Sequence, residues 1–174
     1  LIAARNGEVF FNKSFGFHTY SKRQEVRWDD IYDLASLTKV AATAVSVMKL
    51  QDEGWMDIDR PLSHYLPYLR NSNKSRIIIR EVMAHQARLR NWIPYFRYTI
   101  DNGKLDPAIY QGKISENFPV RVAEDLYITK NYRQQIIDSI RNSPLRDDNS
   151  YKYSDLGFYL LKEGIENILN VPFE

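Results

Sequence analysis

The chain has 174 residues, 44% hydrophobic and 13% aromatic, with 24 Lys and Arg against 22 Asp and Glu for a net charge of +2. That length holds one globular domain with a real core and is too short for two comfortable ones. No apolar run approaches the roughly 20 residues of a bilayer span, the basic residues are scattered rather than gathered into a nucleic-acid-binding stripe, and the lack of cysteine excludes a disulfide framework or a thiolate metal site.

Residues 1–4 and 9–11 are apolar runs flanking Arg5-Asn6-Gly7-Glu8, and Asn-Gly between such runs predicts an opening β-hairpin. Residues 31–35 lead into Ser36. Beyond it Val40, Ala41, Ala44, Val45, Val47, Met48 and Leu50 predict a helix that is apolar around most of its circumference, ends at Gly54 and belongs in a core. Residues 57–62 read as a turn into a short helix with Pro61 in its first turn, broken at Leu66-Pro67. The apolar segment 77–84 is predicted helical from about Ile79 to His85. Residues 91–125, with Gly103, Pro107, Gly112 and Pro119, read as loops with short helices. Helices are predicted over 126–140 and 155–169, with a loop over 142–150, and there is no internal repeat.

Two segments carry chemistry: Ser36-Leu37-Thr38-Lys39 at the head of the apolar helix, and Tyr153-Ser154-Asp155 far downstream. A serine hydroxyl is a poor nucleophile until a neighbouring group takes its proton, and a lysine one helical turn along supplies such a group. Ser46-Val47-Met48-Lys49 fits the same spacing, but Ser46 falls mid-helix, where its hydroxyl bonds back to a carbonyl. Ser36 at a helix start has backbone N–H groups and a favourable dipole beside it. The plainer reading of Ser36 is an N-cap, and of Tyr153 an ordinary buried tyrosine. Lys39, set between Leu37 and Val40, is expected to be partly buried, which lowers a lysine's pKa toward a neutral amine. The aromatics from Trp92 to Tyr98, with Tyr110, Phe118, Tyr127 and Tyr132, read either as a helical subdomain's core or as the lining of a glycan-binding cleft.

The segment Tyr32-Asp33-Leu34-Ala35-Ser36-Leu37-Thr38-Lys39 resembles the nucleophile motif of the serine β-lactamase and penicillin-binding-protein family, in its class C and esterase branch. Residues 53–67 resemble the stretch after the nucleophile helix in that family, and Tyr153-Ser154-Asp155 resembles its Tyr-x-Asn motif. The resemblance implies an α+β fold, an α/β sandwich of antiparallel sheet and flanking helices with a helical subdomain alongside. It covers about the first half of the family's domain, so residues 1–174 are read as one truncated domain with both ends missing. It further implies a serine hydrolase with Ser36 as the acylated nucleophile, Lys39 as its activating group, Tyr153 as the second acid/base, Asp155 in substrate binding and the Ser36 N–H as an oxyanion donor. The order of proton transfer between Lys39 and Tyr153 stays open. No cofactor or metal is implied. The substrate would be an ester or amide, either small or derived from the cell wall, and the location periplasmic or cell-envelope.

This sequence departs from the family pattern at three places. Asp155 stands where the family has Asn, so it accepts but does not donate, and near Lys39 it would favour the ammonium. In His85-Gln86-Ala87-Arg88-Leu89, which resembles the family's His-Thr-Ser-Gly-Leu, Arg88 replaces glycine and would carry about 1–2 kcal/mol of strain if φ is positive. His85 is read as packing under the site. The third motif, Lys-Thr-Gly or His-x-Gly, does not occur. The wording from His85 through Asn91-Trp92-Ile93-Pro94 is similar to a Bacteroides-like subgroup in which the module is fused to a family 3 glycosidase. The alternative to an enzyme is a degenerate, non-catalytic module that binds a wall fragment or glycan, or is a structural appendage to another enzyme.

Overall fold

The computed structural model describes residues 1–173, which fall into two compact units, the first Leu1–Leu37 and the second beginning at Thr38. In the first, β1 (Ile2–Arg5) and β2 (Glu8–Asn12) pair antiparallel. Asn6 and Gly7 at the turn have φ of 53° and 84°, the doubly positive backbone whose twist suits a two-residue hairpin. Further along, the Asp30 carboxylate accepts the Arg27 N–H at 2.6 Å and pairs with His18 Nε2 at 2.9 Å. The Arg27 bond, opposed by desolvation and aided by His18, holds that carboxyl below its usual range.

The second unit opens with a π-helical turn, Lys39–Ala44, that continues as α1 (Val45–Asp52). The helix stops where Gly54 predicts. Gly54 has φ 74°, its N–H reaches the Gln51 carbonyl at 3.1 Å, and the Trp55 N–H reaches the Leu50 carbonyl at 2.8 Å, the paired bonds of a Schellman ending. The all-round burial expected of this helix is not found. It buries a single stripe of Thr43, Val47 and Leu50, while Val40, Val45 and Met48 are 62%, 56% and 65% exposed. The second unit packs against one side of the helix only, so its apolar circumference is half used.

α2 (Leu62–Tyr65) follows Pro61, and α3 (Ile79–Met83) ends just before His85, as the sequence predicts. Residues 58–62 run antiparallel to 77–80, with the Leu62 N–H on the Ile77 carbonyl at 2.8 Å and the Arg80 N–H on the Ile58 carbonyl at 2.9 Å.

Over 91–125 the expectation of loops with short helices is corrected. A 3-10 turn at Tyr95–Thr99 leads into a hairpin of β3 (Ile100–Asp101) and β4 (Lys104–Leu105). Then β5 (Tyr110–Gln111), β6 (Val120–Ala123) and β7 (Leu126–Ile128) form an antiparallel sheet in the order β5-β7-β6. The helix expected over 126–140 begins only at Tyr132, because Leu126-Tyr127-Ile128 joins the sheet as an aromatic and branched run suited to a pleated surface.

α4 (Tyr132–Asn142) and α5 (Leu156–Leu169) complete the unit. α5 is its hub. Leu156, Leu160, Leu161 and Ile165 are buried against Val47, Met56, Leu66, Ile79, Val82 and Ile140, and each such side chain contributes about 1.5–3 kcal/mol. Gly157 lets α5 approach α3, since a β-carbon there would collide with Val82 Cγ1 and press on Leu89 Cδ1 at 3.1 Å. Lys74 is wholly buried and donates to three neutral oxygens, the Asn73 Oδ1 at 2.8 Å and the Arg141 and Ser143 carbonyls at 3.1 and 2.6 Å, tying its loop to the C-terminal end of α4.

Candidate active site

Ser36 lies in the first unit, in a turn over 34–37 that is closed by the Leu37 N–H on the Leu34 carbonyl at 2.9 Å. Ala35 just before it has φ 44°, a left-handed conformation that costs a non-glycine residue about 1–2 kcal/mol, and its N–H donates to Asp33 Oδ1 at 2.8 Å. Leu37 and Thr38 are already helical ahead of the π-helical turn, so Ser36 ends the strained turn and immediately precedes the first helical residue, the position of an N-cap. The competing pair is dispersed. Ser46 is half-buried within α1, and Lys49 forms an exposed pair with Glu53 at 2.6 Å.

In the second unit Lys39, Tyr153 and Asp155 converge although the sequence holds them far apart. Lys39 Nζ lies 2.7 Å from Asp155 Oδ1, and its side chain is 17% exposed. The same ammonium sits 5.1 Å from the centre of the Tyr153 ring and 5.8 Å from that of Phe158, within cation–π range. Burial works to lower the Lys39 pKa, as the sequence suggests, but the hydrogen bonds with Asp155 and Tyr153 and the Asp155 charge outweigh it. The amine is held above its ordinary value. This direction agrees with the ammonium expected from Asp155 lying near Lys39 and opposes the neutral amine expected from burial alone.

The segment carrying Tyr153 and Asp155 has no regular secondary structure and is pinned to residues 85–91. The buried Ser154 donates its hydroxyl to the Arg90 carbonyl at 2.6 Å and accepts the Leu156 N–H at 3.2 Å. The Asp155 N–H meets the Asn91 carbonyl at 2.8 Å, and Asp155 itself is the N-cap residue of α5, where a carboxylate is favoured by the helix dipole. Arg88 has φ 59°, a left-handed conformation that favours glycine, and there it is stapled to Arg146: its carbonyl accepts the Arg146 N–H at 2.7 Å, and its Nε donates to the Arg146 carbonyl at 2.6 Å. The His85 ring packs against that of Tyr153, with centres 4.5 Å apart and planes tilted by 39°.

Sequence reasoning passes over Ser154 and Phe158. Phe158 stands three residues after Asp155, on the same helix face, and that spacing is the available signal. Nothing in the sequence marks Ser154 as buried. The aromatic group divides between the two readings: Phe118 and Tyr132 are buried, while Trp92, Phe96 and Tyr98 are exposed. Tyr95, Tyr98 and Tyr132 line a cavity of about 220 Å³ with Gln135, Ile136 and Ser139. Among the described residues no group of three His, Cys, Asp or Glu side chains could hold a metal ion, and no helix is long and apolar enough to cross a membrane.

A family model described as Beta-lactamase matches residues 1–174. The chain belongs to the beta-lactamase family, whose members are serine hydrolases acting on small or peptidoglycan-derived substrates. It is similar to Protein flp of Staphylococcus aureus (strain NCTC 8325 / PS 47), with 29% identity over 50% of this chain and 18% of that protein. It is also similar to Penicillin-binding protein 4* of Bacillus subtilis (strain 168), with 21% identity over 99% of this chain and 33% of the relative. A crystal structure of a class C beta-lactamase shares the fold with a TM-score of 0.63 at 20% identity, covering 99% of this chain and 39% of that one. The chain therefore spans a third or less of the length of these two curated relatives.

Proposed function

We propose that the chain carries the nucleophile-bearing part of a serine hydrolase that cleaves an ester or amide through an acyl-enzyme on Ser36. The observation that carries this reading is the meeting of Lys39 with Asp155 and Tyr153, side chains from the two segments that resemble the family's catalytic motifs. The strained Ala35 before Ser36 supports it, since such strain clusters at functional sites. In this reading the Ser36 hydroxyl attacks the substrate carbonyl and gives its proton to Tyr153, the Ser36 N–H donates to the developing oxyanion, and Tyr153 returns the proton to the leaving group. A water activated by Tyr153 then releases the acyl group. Lys39 stays an ammonium held by Asp155 and acts by charge, because a cation beside a phenol favours the phenolate.

Asp155 is engaged with Lys39 and has no proton to donate to a substrate amide carbonyl, so simple esters are favoured over substrates that need such a donor. A cell-envelope location, a single domain that continues beyond these residues, and fusion to another catalytic domain belong to the same proposal. The test is hydrolysis of p-nitrophenyl acetate, a D-alanyl-D-alanine peptide and a chromogenic cephalosporin by the longest expressible polypeptide and its Ser36→Ala variant. Turnover of ester or peptide that Ser36→Ala abolishes is expected. No turnover of any of the three contradicts the reading and leaves the second one, a binding module, which the ammonium state of Lys39 favours.

A further inference from the structure

His85 follows α3 in the left-handed region, with φ 55°. Its carbonyl accepts the Lys152 N–H at 2.9 Å, and its Nδ1 accepts the Ser154 N–H at 3.2 Å. These two bonds hold the residues on either side of Tyr153. Its ring adds a third hold, 4.5 Å from the Tyr153 ring and tilted 39° to it, while Phe158 lies 5.3 Å away and Tyr151 meets it edge-on at 5.9 Å. One residue thus grips Tyr153 through both neighbours and through its ring.

We propose that His85 is a positioning residue for Tyr153 that works only as the neutral imidazole with its proton on Nε2, and that its protonation releases Tyr153 and turns the site off in acid. The inference rests on the hydrolase reading for its effect on turnover, but the grip itself does not. Neutral imidazole has one lone pair, and here it is spent at Nδ1 on the Ser154 N–H. Imidazolium carries N–H on both nitrogens, so protonation sets N–H against N–H at that contact and removes the bond.

The charged and titratable groups facing the ring come from three directions: Lys39 from the π-helical turn, Asp155 from the start of α5, and Tyr151 and Tyr153 from the segment beneath. Burial and then the Lys39 ammonium depress the His85 pKa, with Asp155 opposing them. The neutral, bonded form therefore prevails above a midpoint lying below the usual histidine value of about 6.5, and it is lost as pH falls through that midpoint.

The test follows the longest expressible polypeptide from pH 8 to 4, recording the ¹⁵N shifts of His85, the ring resonances of Tyr153 and the rate at which a fluorophosphonate labels Ser36. Three proteins are compared. His85→Asn places a non-titrating amide oxygen near Nδ1, and His85→Phe keeps the ring without the acceptor. In the native protein His85 is expected to show Nε2–H at neutral pH, and Tyr153 to move with the His85 midpoint. Labelling should fall with the same midpoint. His85→Asn, which keeps an acceptor but loses the ring contact, should label more slowly than the native protein at pH 7 and lose the acid limb, whereas His85→Phe should lose about tenfold at pH 7, the order of one hydrogen bond. An Nδ1–H tautomer, Tyr153 resonances indifferent to the His85 midpoint, or an unchanged acid limb in His85→Asn overturns the proposal. Absence of labelling in all three proteins counts against the hydrolase reading, and the two NMR readouts still decide the grip.

Discussion

Lys39 and Lys74 are both lysines in buried surroundings, and their partners send them in opposite directions. Lys39 has a carboxylate at 2.7 Å and is held above its ordinary pKa. Lys74 has neutral oxygens only, and burial pushes it down to about 8. Asp155→Asn should therefore lower the Lys39 pKa, read from the side-chain ¹³Cε titration of the labelled lysine. A Lys39 that already titrates below an exposed lysine in the native protein would restore it as the proton acceptor and remove Tyr153 from that role. For Lys74 the folded pKa lies below the unfolded one, so the unfolded state binds more protons between the two, and stability rises with pH from about 8 toward 10. Lys74→Met should abolish that rise. At pH 7 it should cost about 2–3 kcal/mol, because three oxygens lose a donor, although the Ser143 carbonyl keeps the Asn73 amide at 3.1 Å. Urea midpoints of the two proteins at pH 7 and 9.5 measure both effects.

Gly157 shows how an element can depend on one missing methyl. Helix propensity alone predicts that Gly157→Ala stabilises α5 by about 1 kcal/mol. The collision with Val82 Cγ1 and Leu89 Cδ1 reverses the sign, and a net loss of about 1–2 kcal/mol is expected in denaturant unfolding. A more stable Gly157→Ala protein would mean that α3 and α5 lie farther apart than described. Legibility from sequence divides in the same way between local and tertiary causes. The β1–β2 hairpin, the Gly54 stop, α2, α3 and α5 are readable because caps, breakers and turn residues act locally. Asn102 and Gly103 carry the same signal as Asn6 and Gly7, with φ of 49° and 76°, yet the β3–β4 hairpin they close reads as loop because strands of two residues show no alternation. β7 reads as helix because Leu126-Tyr127-Ile128 precedes a helical pattern directly, and pairing with β5 and β6 is a long-range fact that periodicity does not carry. The candidate site is legible as residue types. The conversion of Lys39 to a fixed ammonium depends on a contact across the second unit, foreseeable only as a consequence of Asp155 lying near Lys39.

At the scale of the molecule, the chain leaves much apolar surface in water: Val40, Val45 and Met48 in the second unit, and Phe10, Trp28 and Ile31 in the first. Exposure of this kind on a monomer marks surface that takes a partner or drives association. The 174-residue chain alone should bind a hydrophobic dye in its folded state and self-associate at tens of micromolar, an order-of-magnitude expectation checked by fluorescence and light scattering. A monodisperse, dye-silent chain would contradict the exposure described. Central to the proposed function is Ser36 as an activated nucleophile supported by Lys39, Asp155 and Tyr153. Its most direct test is the intact mass of the longest expressible polypeptide before and after treatment with a fluorophosphonate, with Ser36→Ala and Ser46→Ala alongside. A single adduct that persists in Ser46→Ala and disappears in Ser36→Ala is the predicted result. A folded protein that takes no adduct, or one that keeps it in Ser36→Ala, would contradict that role for Ser36.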